Sequence, residues 1–145
     1  MDALALLQAE QACRDLIVAA ADAVDQQAYE TLVQLFSQDA VLVRPGGVEL
    51  RGRAEILASY ASKDPNRLTH HLVCNHQVQV APSGVAESRC KVLLYVSDKR
   101  REVTAQGRLA DPKYQVGTIQ DALVLTDAGW KIHKRTAWFD LFFES

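Results

Sequence analysis

The spacing of apolar residues changes character near residue 68 of this 145-residue chain, and that change limits the folds open to it. Upstream, Leu6, Ala9, Cys13, Leu16, Ile17, Ala20 and Val24 recur at three- and four-residue steps, one stripe on a long helix over about residues 3 to 24. The stripe resumes with Ala28, Leu32, Leu35 and Phe36 after the polar stretch Asp25-Gln26-Gln27, which implies a second helix set at an angle to the first. "DAVLVRPGGVEL" (39–50) has the composition of a short hairpin turning at Pro45-Gly46-Gly47. "RAEILASYAS" then reads as a third helix, which stops before Pro65 because proline disfavours helix at the residue ahead of it.

From residue 68 the period is that of strands, with runs at about 68–81, 84–97, 101–110, 114–126 and 129–142. Turns at Pro82-Ser83-Gly84, Ser97 to Arg100, Asp111-Pro112 and Asp127-Ala128-Gly129 separate them, so consecutive hairpins give an antiparallel sheet. Helices first and strands after them argue for one α+β domain over residues 1–145, its helices packed on one face of a curved sheet. In the second long run, Ala86, Ser88, Cys90, Val92, Leu94 and Val96 share one face, opposite Glu87, Arg89, Lys91 and Tyr95. In the last run Trp130 and Ile132 share one parity, and Ala137, Phe139, Leu141 and Phe143 the other, which predicts a bulge between them.

Charge and composition exclude several function classes. Sixteen Lys plus Arg against eighteen Asp plus Glu leave a net charge of -2, and no field that favours nucleic acid. The run Lys99-Arg100-Arg101 is followed by Glu102 and reads as a solvated hairpin tip. No apolar run approaches the roughly 20 residues of a membrane-spanning helix. The alanine- and leucine-rich start is broken by Asp2, Glu10, Arg14, Asp15 and Asp22, unlike a secretory signal, so the cytoplasm is the expected compartment. Cys13, Cys74 and Cys90 are an odd set without a CxxC pattern and read as reduced, buried small hydrophobes.

"LTHHLVCNHQV" (68–78) places His70, His71, Cys74 and His76 within seven positions. On a regular strand His70 and His76 share a face but stand roughly 20 Å apart, too far to ligate one ion, and His71 points the other way. Cys74 and His76 alone do not make a metal set, so no metal is expected. His71 shares its face with Thr69 and Asn75, a partly polar setting in which a histidine oriented by a carboxylate serves as a general base.

The segments "AVDQQAYETLVQLFSQDAVL", "ELRGRAEI", "THHLVCNHQVQV" and "GWKIHKR", in this order and spacing, resemble the SnoaL-like branch of the nuclear-transport-factor-2-like superfamily over nearly the whole chain. The resemblance implies a cone-like, strongly curved antiparallel sheet, a hydrophobic pocket, no cofactor, and a homo-oligomer, either dimer or trimer. In relatives similar to scytalone dehydratase and hexachlorocyclohexane dehydrochlorinase, an Asp ending the first helix orients a pocket His followed four residues later by Asn. The matching residues here are Asp25, His71 and Asn75. Two departures stand out: Ala20 occupies a position where many relatives carry Tyr, and Gly117-Thr118-Ile119-Gln120-Asp121 stands where a Gly-x-Tyr-x-Asp stretch is common. Tyr95, Tyr60 or Tyr29 would then supply the missing hydroxyl.

Two functions remain open on these residues. One is a cofactor-independent lyase or isomerase acting on a small cyclic, partly apolar substrate, with His71 and Asp25 catalytic and Asn75, Tyr95, Tyr60 and Trp130 against the substrate. The other is a non-catalytic ligand-binding or structural subunit, similar to the small subunit of aromatic-ring dioxygenases. Asp25 has a second possible duty as the cap of the second helix, Asn75 as a partner for backbone groups, and Trp130 as a core residue.

Overall fold

The protein is described by a computed structural model of residues 1–145. Helix α1 spans Ala3–Asp25, α2 Tyr29–Gln34 and α3 Gly52–Ala61. Strands are β1 (Phe36–Val43), β2 (Glu49–Arg51), β3 (Arg67–Val80), β4 (Val85–Asp98), β5 (Val103–Thr104), β6 (Gly107–Arg108), β7 (Lys113–Thr126) and β8 (Gly129–Glu144). The α+β class expected from the spacing is the one observed. Six strands form one sheet in the order β2-β1-β8-β7-β4-β3. All neighbours in it are antiparallel except β1 and β8, which run parallel. No helix is long and apolar enough to cross a membrane.

Helix α1 begins where Asp2 accepts a hydrogen bond from the Ala5 backbone N–H at 2.7 Å, an N-cap that satisfies one of the helix's free donors. Its buried face is made of Ala9, Cys13, Leu16, Ile17, Ala20 and Ala23, small enough at several positions to let the helix lie close on β3. Gln27 takes a positive φ of 56° and turns the chain into α2. Here Ala28 stands at the cap position without a side-chain bond, so Asp25 does not cap α2. Phe36, placed on that helix by its spacing, instead opens β1 and is fully buried with Leu32, Ile17, Ile56, Leu123 and Ile132. Parallel pairing with Ile132 draws it into the sheet, a long-range contact that local periodicity does not reveal. Each such burial contributes roughly 1.5–3 kcal/mol.

The run at 101–110 is not a sheet strand. Residues 103–104 pair only with 107–108 in a separate ribbon, where Val103 is exposed and the neighbouring Leu109 also stands in solvent. Arg108 donates instead to the Lys99 carbonyl, and Ser97 and Arg101 to the Leu109 carbonyl. With no apolar face to bury, the segment folds back on its own polar groups.

Bulges decide which side chains reach the concave side. In β8 the register with β7 slips twice, leaving His133 and Asp140 without direct partners, where a single interruption was expected. In β3 Asn75 and His76 together oppose Cys90 of β4, and Asn75 adopts φ 51°. Thr69, His71 and Val73 therefore face the helices before the bulge, and His76, Val78 and Val80 after it. The expected sharing of one face by His70 and His76 is wrong for that reason. On β4 the inward face is the one read from the alternation, with Ala86, Ser88, Cys90, Val92 and Leu94 all buried.

Candidate active site

Between the helices and the concave face lies a cavity of about 540 Å³. Its wall is largely apolar, with Ile17, Ala21 and Val24 from α1 facing Val73, Val92, Leu94 and Ile119 from the sheet. Such a concave apolar site with a few convergent polar groups is the usual form of a small-molecule site.

The first polar group is His71. The Asp25 carboxylate, at the last residue of α1, takes three hydrogen bonds from β3. Its Oδ1 accepts from the Thr69 hydroxyl at 2.8 Å and lies 2.6 Å from His71 Nδ1, and its Oδ2 accepts from the His71 backbone N–H at 2.8 Å. Burial pushes the Asp25 carboxyl up, but the hydrogen bonds from the His71 ring and backbone, the imidazole charge and the Thr69 hydroxyl outweigh it and hold the carboxyl below its ordinary value. The neutral ring that satisfies this contact carries its proton on Nδ1, which leaves Nε2 as the basic nitrogen. Nε2 makes no bond to the protein, and His71 lines the cavity while Asp25 stands behind it.

Arg135 is the second. The residue is only 5 % exposed, and its guanidinium grips Asp121 through Nε at 2.8 Å and Nη2 at 3.0 Å and lies over the Phe36 ring. Burial disfavours the charge, yet the facing Asp121 carboxylate more than restores it, so Arg135 is held above its usual range. Arg135 also lines the cavity. Its Nη1 has no protein partner, and no fully buried side-chain polar atom in the structure is without one, so Nη1 opens to the cavity.

Tyr60 stacks on Tyr29 with ring centroids 5.4 Å apart, and both line the same space. Burial, partly opposed by the charges of Arg135 and Arg44, raises the Tyr60 hydroxyl pKa and keeps it a proton donor.

The remaining residues singled out in the sequence lie elsewhere. Asn75 is exposed at the β3 bulge and does not line the cavity. Tyr95 is on the outer face of β4, against Tyr114 at 5.5 Å, because Leu94 beside it takes the inward direction. Trp130 packs beside the core without reaching the cavity. His76 Nε2 lies 2.7 Å from the Ser88 hydroxyl, and no three His, Cys, Asp or Glu side chains converge. Sequence reasoning missed Arg135, and it placed Thr69 beside His71 on one face without the bond from its hydroxyl to Asp25. Arg135 sits within the quoted "GWKIHKR", but its pairing with Asp121 follows from a register with two slips.

A mostly antiparallel sheet packed against three helices, with a cavity between them, is the nuclear-transport-factor-2-like class of fold. Within that class the chain belongs to the SnoaL-like family, whose SnoaL-like domain profile matches residues 5–136. A type 2 hexachlorocyclohexane dehydrochlorinase superposes with a TM-score of 0.81 at 17% identity, over 98% of this chain and 92% of that one. A proposed NTF2-like dehydratase from Streptomyces avermitilis gives 0.80 at 19% identity, over 94% of this chain and 99% of that one. An NTF2-like protein with a cystatin-like fold from Novosphingobium aromaticivorans gives 0.75 at 21% identity, over 94% and 84%. At these identities the likeness is one of fold. Among curated proteins, none matches the chain by sequence.

Proposed function

We propose that the protein is a lyase or isomerase that needs no cofactor and acts on a small cyclic, partly apolar compound through the Asp25–His71 pair. The observation that carries this reading is the His71 ring, anchored at Nδ1 by a carboxylate 2.6 Å away on the wall of an apolar cavity. His71 Nε2 takes a proton from a carbon next to a carbonyl, and the C–H electron pair moves into the enolate. Asp25 stabilises the imidazolium that results. Arg135 Nη1 and the Tyr60 hydroxyl, donors that line the same cavity, stabilise the enolate oxygen. In an elimination the enolate re-forms its carbonyl and the electron pair expels the β-substituent: a hydroxyl leaves as water by taking the imidazolium proton, whereas a halide leaves as the free anion and the imidazolium gives its proton to solvent. In an isomerisation the proton returns to a different carbon. Relatives of this fold named as dehydratase and dehydrochlorinase are consistent with such chemistry.

The test is deuterium wash-in and β-elimination on a panel of cyclic ketones bearing a β-hydroxyl or β-halide, followed by NMR in heavy water. Catalysis by the wild type and a loss of about 10²–10⁴-fold in His71→Ala is the expected result. Equal rates in the two proteins overturn the reading and leave the binding-subunit alternative.

The chain is also proposed to form a homo-oligomer through the outer face of its sheet. Leu72, Tyr95, Tyr114, Leu141 and Phe143 are all exposed there, and Tyr114 stacks on Phe143 at 5.0 Å. Sedimentation velocity should show a species larger than 16.0 kDa that Leu141→Arg dissociates; a monomeric wild type removes the proposal.

A further inference from the structure

Three cations gather at one rim of the cavity with little to balance them. Arg44 follows β1 in the turn to β2, Lys63 lies in the loop after α3, and Arg67 opens β3; all three line the cavity. None forms an ion pair with a carboxylate. Arg44 Nη1 donates to the Ser59 hydroxyl at 2.7 Å, which leaves its other guanidinium nitrogens without a partner. Lys63 Nζ stands 4.7 Å from the Tyr60 ring centroid, over an aromatic face rather than an anion. Asp64 is the only carboxylate on the cavity wall, and it is engaged by the Asn66 backbone N–H at 2.9 Å.

The arrangement repels itself. Burial, and after it the charges of Arg44 and Arg67, lower the Lys63 ammonium to about 8. In a chain whose net charge is -2, three unpaired cations around an apolar cavity form a local positive field opposite in sign to the whole. The rim also has room beyond it. A polar depression of about 280 Å³ adjoins the cavity through Asp64, Arg67, Leu94 and Gln115; it adds Lys113, together with Asp98 and Asp111, which are already engaged by Arg100 and Arg101.

We propose that the substrate carries an anionic group, a carboxylate or a phosphate, which Arg44, Lys63 and Arg67 hold at the rim while its apolar ring system enters the cavity toward His71. The inference rests on the proposed function's use of this cavity as the substrate site. It adds what that reading leaves open, the charge and polarity of the molecule. Binding of the anion relieves the repulsion among the three cations, and planar guanidinium forks suit carboxylate and phosphate oxygens.

Calorimetric titration of the full chain with naphthoate, naphthyl phosphate and the neutral naphthamide tests it. The expected result is that at least one anion binds about tenfold or more tightly than the amide. That preference should shrink as salt is raised, and fall to within about twofold in the Lys63→Met/Arg67→Met variant. Each single variant should show part of the loss, with thermal unfolding as the check on folding. Tighter binding of naphthyl phosphate, competed by inorganic phosphate, assigns the anion as phosphate; tighter binding of naphthoate assigns it as carboxylate. Equal affinity for anions and amide in the wild type overturns the proposal, as does failure of all three to bind. Survival of the preference in the double variant also overturns it, because Lys63 and Arg67 would then not hold the anion. His71→Gln separates this proposal from the catalytic one. An anion preference kept in His71→Gln, without His71-dependent proton transfer in the wild type, leaves the rim standing and removes the dyad; the opposite pattern does the reverse.

Discussion

Asp25 holds His71 twice, once at the ring through Nδ1 at 2.6 Å and once at the backbone N–H at 2.8 Å. One carboxylate thus fixes both the side chain and the strand that bears it, joining the end of α1 to β3. Thr69 adds a third bond to the same group.

Asp25→Asn should separate orientation from size. The amide can keep the contacts to the Thr69 hydroxyl and the His71 N–H but does not stabilise an imidazolium. Turnover is expected to fall about 10²–10⁴-fold with KM changed far less. Steady-state kinetics on any substrate found by deuterium wash-in checks this, and an unchanged kcat would remove Asp25 from the mechanism.

Acid should weaken the same junction. The folded carboxyl sits below its ordinary 3.8, so the stability it contributes is complete above the unfolded value and is lost as pH falls through the folded one. Urea unfolding of wild type and Asp25→Asn should differ by a constant amount above about pH 5 and converge below about pH 4. A gap as wide at pH 3 as at pH 7 would contradict the direction of the shift.

The Asp121–Arg135 pair is the most buried charge pair in the molecule, with both side chains almost wholly enclosed. Removing one member strands the other: Asp121→Asn or Arg135→Met alone should cost about 3–5 kcal/mol in chemical denaturation. Replacing both, as Asp121→Leu with Arg135→Met, should recover most of that stability without restoring turnover. Recovery of turnover as well would show that Arg135 Nη1 does not act on the substrate.

Gly117 is required by a close approach of strands. A Cβ built there would lie 2.9 Å from the Trp138 carbonyl oxygen and 3.4 Å from the Phe139 ring, beside one of the β8 bulges. Gly117→Ala should destabilise by about 1–3 kcal/mol, because backbone rather than a flexible side chain must move. Thermal unfolding within error of wild type would show that the bulge yields more easily than this.

Much of the architecture was legible because it depends on local periodicity. The α1 stripe, the inward face of β4 and the turn signals between the long strands each follow from residues close in sequence. The site was legible in part. Strand parity and polar neighbours point to His71, resemblance adds Asp25, and the geometry that brings them together belongs to the packing of α1 on β3. Asn75 was misplaced because parity holds only on an unbroken strand, and Asn75 itself is the residue at which β3 breaks, with φ 51°. Tyr95 was proposed as a hydroxyl donor although β4 alternation already set it opposite the buried face; the structure keeps it there, on the outside.

Taken alone, then, the amino-acid order determined the long first helix, the four long sheet-forming runs β3, β4, β7 and β8, and the apolar face of a regular strand such as β4, since these depend on side-chain spacing within a few residues. Tertiary structure decided the parallel pairing of β1 with β8, the bulges that re-aim β3 and β8, the burial of Arg135 against Asp121, and the three unpaired cations of the rim. Those features depend on how separate elements pair and pack, through registers that a single slipped residue reverses, so no local pattern records them.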